Sequence, residues 1–90
     1  VYRGESRVEN SLLADECVIE GTVINSVLFR GVRVGRGAVV ENSVLFHGTR
    51  VGDNAKLNCI VTDKDVVISE DVSLSGNENM PFYVQRGRRV

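Results

Sequence analysis

The sequence predicts an all-β fold, a parallel β-helix of hexapeptide repeats with about four triangular coils. Three observations carry this. The pentapeptide Asn-Ser-Val-Leu-Phe stands at 25–29 and again at 42–46, 17 residues later. Large apolar residues recur at Leu28, Val34, Val40, Leu45, Val51, Leu57, Ile68 and Leu74, at steps of 6, 6 and 5, with Thr62 in the one polar slot. Two residues before each of these positions stands a small or branched residue: Ser26, Val32, Ala38, Ser43, Thr49, Ala55, Ile60, Val66 and Val72.

Each element follows from that spacing. Side chains at i−2 and i share a face in a strand, whereas a helix has period 3.6. The extended pieces are short and end in turn residues: Gly35 and Gly37, Gly52-Asp53-Asn54, Glu70-Asp71. Three short strands and three turns make one triangular coil, and stacked coils pair their strands in parallel about 4.7–4.9 Å apart. Upstream, Ser11/Leu13 and Cys17/Ile19 obey the same rule, but the stretch 19–23 is about two residues shorter, so the offset there drops to 15. The coils span 8–74, residues 1–7 read as the remnant of a linker, and 75–90 read as a C-terminal tail. A β-sandwich of short strands is the alternative, but it has no need of a fixed 6-6-5 register.

Stacking assigns each residue a direction. The inward ladders are Leu28/Leu45/Thr62, Val34/Val51/Ile68 and Val40/Leu57/Leu74. Asn10, Asn25 and Asn42 can stack at one corner as an amide ladder, with Cys59 in the next slot. Residues between the inward pairs face outward, which places Val27, Val44 and Val61 on one face, flanked by Phe29 and Phe46 and then by Asp63. Leu12 and Ala14 extend it. Single surface hydrophobics are normal, but a stacked apolar stripe marks an interface. Val27, Phe29, Val44, Phe46 and Val61 are therefore the predicted interface. A second ladder is basic: Arg30, His47 and Lys64 are spaced by 17, as are Arg33 and Arg50. It reads either as a solvated face neutralised by Asp15, Asp63 and Asp65, or as an anion-binding stripe.

Bulk properties limit the function classes. Ninety residues make one small domain, and a net charge of −1 implies no nucleic-acid or anionic-membrane partner. The locally basic end, Arg86, Arg88 and Arg89, reads as solvated. Cys17 and Cys59 form no Cys-x-x-Cys motif and read as small structural residues, so a reduced, cytoplasmic setting is expected. There is no membrane-length apolar run and no signal peptide, and the absence of an initial Met reads as a trimmed fragment. One histidine cannot build a three-histidine zinc site, and no metal site is expected. No Gly-x-Ser-x-Gly, His-Glu-x-x-His or phosphate-loop motif occurs, and Gly35-Arg36-Gly37 is a turn. His47 is the one candidate for a catalytic base of a hexapeptide acyltransferase. It replaces Arg30 in matching surroundings, Phe-His-Gly against Phe-Arg-Gly, as a surface swap would. No catalytic residue is predicted.

The stretches Ile-Glu-Gly-Thr-Val (19–23), Asn-Ser-Val-Leu-Phe-Arg-Gly-Val-Arg-Val-Gly (25–35) and Asp-Lys-Asp-Val-Val-Ile-Ser (63–69) resemble the C-terminal domain of bacterial glucose-1-phosphate adenylyltransferase, or ADP-glucose pyrophosphorylase. The resemblance covers 6–69 and is closest to the Gram-positive type, including its regulatory GlgD-type subunit. It implies a left-handed β-helix, an exception to right-handed crossovers, with a closing strand in the tail Met-Pro-Phe-Tyr-Val-Gln-Arg-Gly-Arg-Arg-Val. It implies a parent enzyme making ADP-glucose from ATP and glucose 1-phosphate with Mg²⁺ for glycogen synthesis, its catalytic domain lying N-terminal to this chain. It further implies contact with that domain and with other subunits of a homo- or hetero-tetramer, and a sugar-phosphate effector held partly by basic residues. Lys56 falls in that family region, while Asn58 and Cys59 stand where some relatives are basic. Another sugar-phosphate nucleotidyltransferase with an appended β-helix, such as a mannose-1-phosphate guanylyltransferase, is the remaining alternative.

Overall fold

A computed structural model describes residues 6–77, 79, 82–87, 89 and 90. The described residues form fourteen short strands in chain order. They are β1 (Arg7–Glu9), β2 (Leu12–Leu13), β3 (Val18–Ile19), β4 (Thr22–Ile24), β5 (Val27–Leu28), β6 (Arg33–Val34) and β7 (Val39–Glu41). Then come β8 (Val44–Leu45), β9 (Arg50–Val51), β10 (Lys56–Asn58), β11 (Ile60–Thr62), β12 (Val67–Ile68), β13 (Ser73–Ser75) and β14 (Phe82–Val84). They form three parallel sheets, β1-β4-β7-β10-β13, β2-β5-β8-β11-β14 and β3-β6-β9-β12, which we call B, C and A. The chain visits B, C and A in turn, so the protein is a parallel β-helix of about four coils.

Register fixes the core. Val8, Val23, Val40, Leu57 and Leu74 are partners along sheet B, and Leu13, Leu28, Leu45, Thr62 and Val84 along sheet C. Ile19, Val34, Val51 and Ile68 run along sheet A. The middle rungs are buried, while Val8, Leu13 and Leu74 at the ends are half-buried. The shift of pairing from 15 residues in the first coil to 17 in the next is seen at Arg7↔Thr22 and Thr22↔Val39. The shortfall falls in the turn between sheets A and B and leaves all three pairings intact.

The polar slot has a partner. Thr62 Oγ1 lies 3.0 Å from Thr49 Oγ1, and it accepts from the Phe46 amide at 3.3 Å. The pair is buried without an unsatisfied hydroxyl. Serine does similar work at the corner leading into sheet C. The Ser11, Ser26 and Ser43 hydroxyls each donate to the carbonyl two residues back, at 2.8, 2.8 and 2.7 Å. Each also accepts the amide of the coil above, from Ser26, Ser43 and Ile60 at 3.0, 3.2 and 3.1 Å. A buried amide left without a partner costs about 1–3 kcal/mol. Ser43→Ala strands the Ile60 amide, so a loss of that order is expected in urea unfolding; an unchanged midpoint would show that the hydroxyl is dispensable.

The corners explain the asparagines differently from a pure amide ladder. Asn10, Asn25 and Asn42 all have positive φ (48°, 50° and 50°), as does Cys59 at 56°. The slot demands left-handed backbone, which Asn tolerates better than most side chains. The amide-to-amide bond forms from Asn10 to Asn25 at 2.6 Å, whereas Asn42 donates to Asn58 at 3.2 Å. The second corner holds Glu16, Gly31, Gly48, Asp65 and Gly87 in the same conformation, and the third holds Gly37, Asn54 and Asp71.

Candidate functional site: the outer faces

Sheet C presents a continuous apolar row. Strand register places Leu12, Val27, Val44, Val61 and Tyr83 side by side on its outer surface. Leu12 and Tyr83 are 71% and 55% exposed, and the three valines between them are half-buried. Beside this row Phe29 stacks on Phe46, ring centroids 4.6 Å apart and planes 22° from parallel. The predicted interface residues therefore lie together on one face. Leu12, expected to extend the stripe, forms one exposed end, and Tyr83, which the repeat spacing does not place on this face, forms the other.

Tyr83 also ties the tail to the body: its hydroxyl donates to Asp63 Oδ2 at 2.9 Å, and the Lys64 amide donates to Asp63 Oδ1 at 2.7 Å. Chiefly through the amide bond, and then the Tyr83 bond, the Asp63 carboxyl is held below its usual range. The same carboxylate pushes the Tyr83 phenol up.

The basic residues divide between faces. Arg30, His47 and Lys64 follow one another at the corner between sheets C and A, all exposed. Arg30 donates to Glu16 at 2.9 Å, which raises the guanidinium and lowers the Glu16 carboxyl, mainly through that bond. Asp15 contributes to Arg30 only as a weak charge. His47 places its ring edge-on to Phe29, centroids 5.4 Å apart and planes at 84°. Among the described residues no carboxylate is hydrogen-bonded to that ring. Arg33 and Arg50 are direct neighbours on the outer surface of sheet A, and no described residue forms an ion pair with either. Lys56 stands apart, on the outer surface of sheet B, in a shallow groove with Val39, Glu41, Asn58, Ser73 and Ser75. The structure brings five of the six basic candidates around one edge of the triangle and leaves Lys56 on another face.

Cys17 and Cys59 are buried, and the Cys17 thiol donates to the Phe29 carbonyl at 3.1 Å. Among the described residues there is no group of three His, Cys, Asp or Glu suited to a metal, and no helix long and apolar enough to cross a membrane.

Three parallel sheets wound from six-residue strand-and-turn units define a hexapeptide-repeat solenoid with three outer faces. The chain belongs to the GlmU-like C-terminal hexapeptide family, whose description matches residues 2–81. It is 45% identical over 86 residues to the glycogen biosynthesis protein GlgD of Bacillus subtilis, covering 96% of this chain and 25% of that protein. GlgD of Geobacillus stearothermophilus is 48% identical over 86 residues, with the same shares of 96% and 25%. Glucose-1-phosphate adenylyltransferase of Bacillus cereus is 37% identical over 80 residues, covering 89% of this chain and 21% of the enzyme. The chain thus spans about a quarter of the length of the relatives it matches.

Proposed function

We propose that this chain is the assembly and regulatory β-helix of a glucose-1-phosphate adenylyltransferase subunit, catalytic or GlgD-like, in glycogen biosynthesis. In this reading the parent converts ATP and glucose 1-phosphate to ADP-glucose and diphosphate in the cytoplasm. Mg²⁺ and the catalytic carboxylates belong to a separate N-terminal domain, and the β-helix itself performs no chemistry. The supporting observation is the outer face of sheet C, where Leu12, Val27, Val44, Val61 and Tyr83 line up beside the stacked Phe29 and Phe46. A solvated spacer gains nothing from such a row, whereas a neighbouring domain or subunit gains apolar burial. Arg33 and Arg50 supply a paired cationic site for a sugar-phosphate effector, with Arg30, His47 and Lys64 around the adjoining corner. Lys56 would act only from another direction.

Replacing Phe29 and Phe46 together by Ser tests the reading. Both rings are half-exposed, so the fold should survive while the assembled parent dissociates, read as a fall in mass by light scattering. An unchanged mass sinks the assembly role of this face.

A further inference from the structure

The three outer faces differ in charge. Along sheet A the outward row reads Val18, Arg33, Arg50, Val67 and Arg89. Along sheet B the first outward row reads Arg7, Thr22, Val39, Lys56 and Ser73. The row of sheet C, Leu12, Val27, Val44, Val61 and Tyr83, holds no charge. Parallel sheets are ordinarily covered on both faces. Of these three, sheet C is the one whose outward row can be covered without stripping water from an ion. Its five strands, about 4.7–4.9 Å apart, make that row about 19 Å long.

The row is matched by its own reverse. Turned end for end about Val44, it exchanges Leu12 with Tyr83 and Val27 with Val61. The charges beside it obey the same operation. At the corner between sheets C and A, the Gly31, Gly48, Asp65 and Gly87 amides donate to the Asp15, Arg30, His47 and Lys64 carbonyls, so this corner stacks rung on rung. Its first rung carries Asp15 and Glu16, two negative charges, and its second carries Arg30, one positive charge. The middle rung carries His47. The fourth carries Asp63, Lys64 and Asp65, two carboxylates against one ammonium, and the fifth carries Arg86. Reversal therefore sets the acidic first rung against the basic fifth, and the basic second against the acidic fourth. The opposite corner, with Asn10, Asn25, Asn42 and Cys59, is uncharged. A two-fold axis lying in the plane of a face can run in two directions. Parallel to the stack, it lays the charged corner of one copy on the asparagine corner of the other. Along the strands, it reverses the stack and brings charged corner to charged corner with opposite signs opposed. Such complementarity fixes register, and a contact of this symmetry closes at two copies. At its centre Phe46 meets its own copy. Phe29 lies across from Asp63, whose carboxylate is already bonded to the Lys64 amide and the Tyr83 hydroxyl.

We propose that sheet C packs face to face on sheet C of a second copy of this chain, with the two stacks antiparallel about a two-fold axis over Val44. The inference rests on reading this face as an assembly surface, and it adds the partner and its direction.

The test is sedimentation equilibrium of this chain in about 0.1 M salt, where the screening length is about 10 Å, with circular dichroism as the fold check. The expected result is a reversible dimer that grows no further. Asp15→Lys and Arg86→Glu are both at exposed positions, and each should raise the dissociation constant about tenfold, because symmetry places every substitution in the contact twice. Combined in one chain, the two should return it to within about twofold of the original, since opposite charges again face each other across the contact. Within one chain these positions are four rungs apart, about 19 Å, so direct coupling there is screened and cannot produce the rescue. Val44→Asp should leave a monomer. A chain that stays monomeric up to about 1 mM, too weak for a specific pair, overturns the proposal. That outcome differs from failure of the assembly reading, which is an unchanged mass of the parent when Phe29 and Phe46 are replaced. A dimer indifferent to Val44→Asp lies on another face and also overturns the proposal, as does growth beyond two copies. Single reversals that weaken the dimer without rescue in the double variant overturn the antiparallel direction. If Val44→Asp loses the β signal, the two exposed charge variants still decide.

Discussion

Leu45→Ala is expected to lower the stability of this fold by about 2–5 kcal/mol, the range for a fully buried leucine whose surroundings cannot collapse into the gap. Leu45 is 0% exposed and lies mid-ladder, with Leu28 below and Thr62 above in strict register. Relaxation is restricted because each neighbour is pinned by parallel pairing on both sides. The gap would also open beside the Thr62–Thr49 hydroxyl pair, whose geometry depends on the same rung. Small domains hold only about 5–15 kcal/mol in all, so the variant should unfold at much lower urea. A loss under about 0.5 kcal/mol, the size typical of surface positions, would mean the ladder is not the core.

Gly52→Ala should be comparably damaging for a different reason. A Cβ there would lie 2.6 Å from the Glu70 amide nitrogen, 2.8 Å from the Ser69 carbonyl carbon and 2.9 Å from the Ile68 oxygen. All three are backbone atoms of the coil above, so no rotamer relieves the clash. Overpacking of this kind costs about 1–3 kcal/mol and sometimes more, and here the coil spacing itself must widen. The contrasting position is Gly31, with φ +74° and its nearest neighbour, Gly48 N, at 3.9 Å. Gly31→Asn should cost little, because Asn already holds that conformation at 25 and 42. Thermal melts of the two variants separate a need for space from a need for left-handed backbone; equal melting temperatures would refute the distinction.

The inward ladders were legible in the sequence because burial selects branched apolar residues at every sixth or fifth position, and parallel stacking repeats the choice coil after coil. The shortened first coil showed in the drop of the offset to 15. Corner chemistry was less visible. Asn at 10, 25 and 42 fits both an amide ladder and a left-handed turn, and backbone angles decide between them. The serine hydroxyls looked merely small, because a spacing argument registers volume and not the amide of the next coil. The tail escapes a fixed period because five more residues than the repeat allows stand before β14 in the sequence, so Tyr83 joins Val61 at an offset of 22. On the surface, alternation alone set the apolar row. Lys56 was grouped with the arginines through family resemblance, and register shows it on another sheet.

The parallel pairing of every strand with its equivalent one coil away has a mechanical consequence. Inter-strand hydrogen bonds lie across the strands, and here they point along the stacking axis. Tension between the first and last coils would load these bonds in series, a few at a time, and peel the outermost coil before the next. The molecule should therefore yield in small steps at low force, as a zipper does, although side chains pack it firmly against lateral compression.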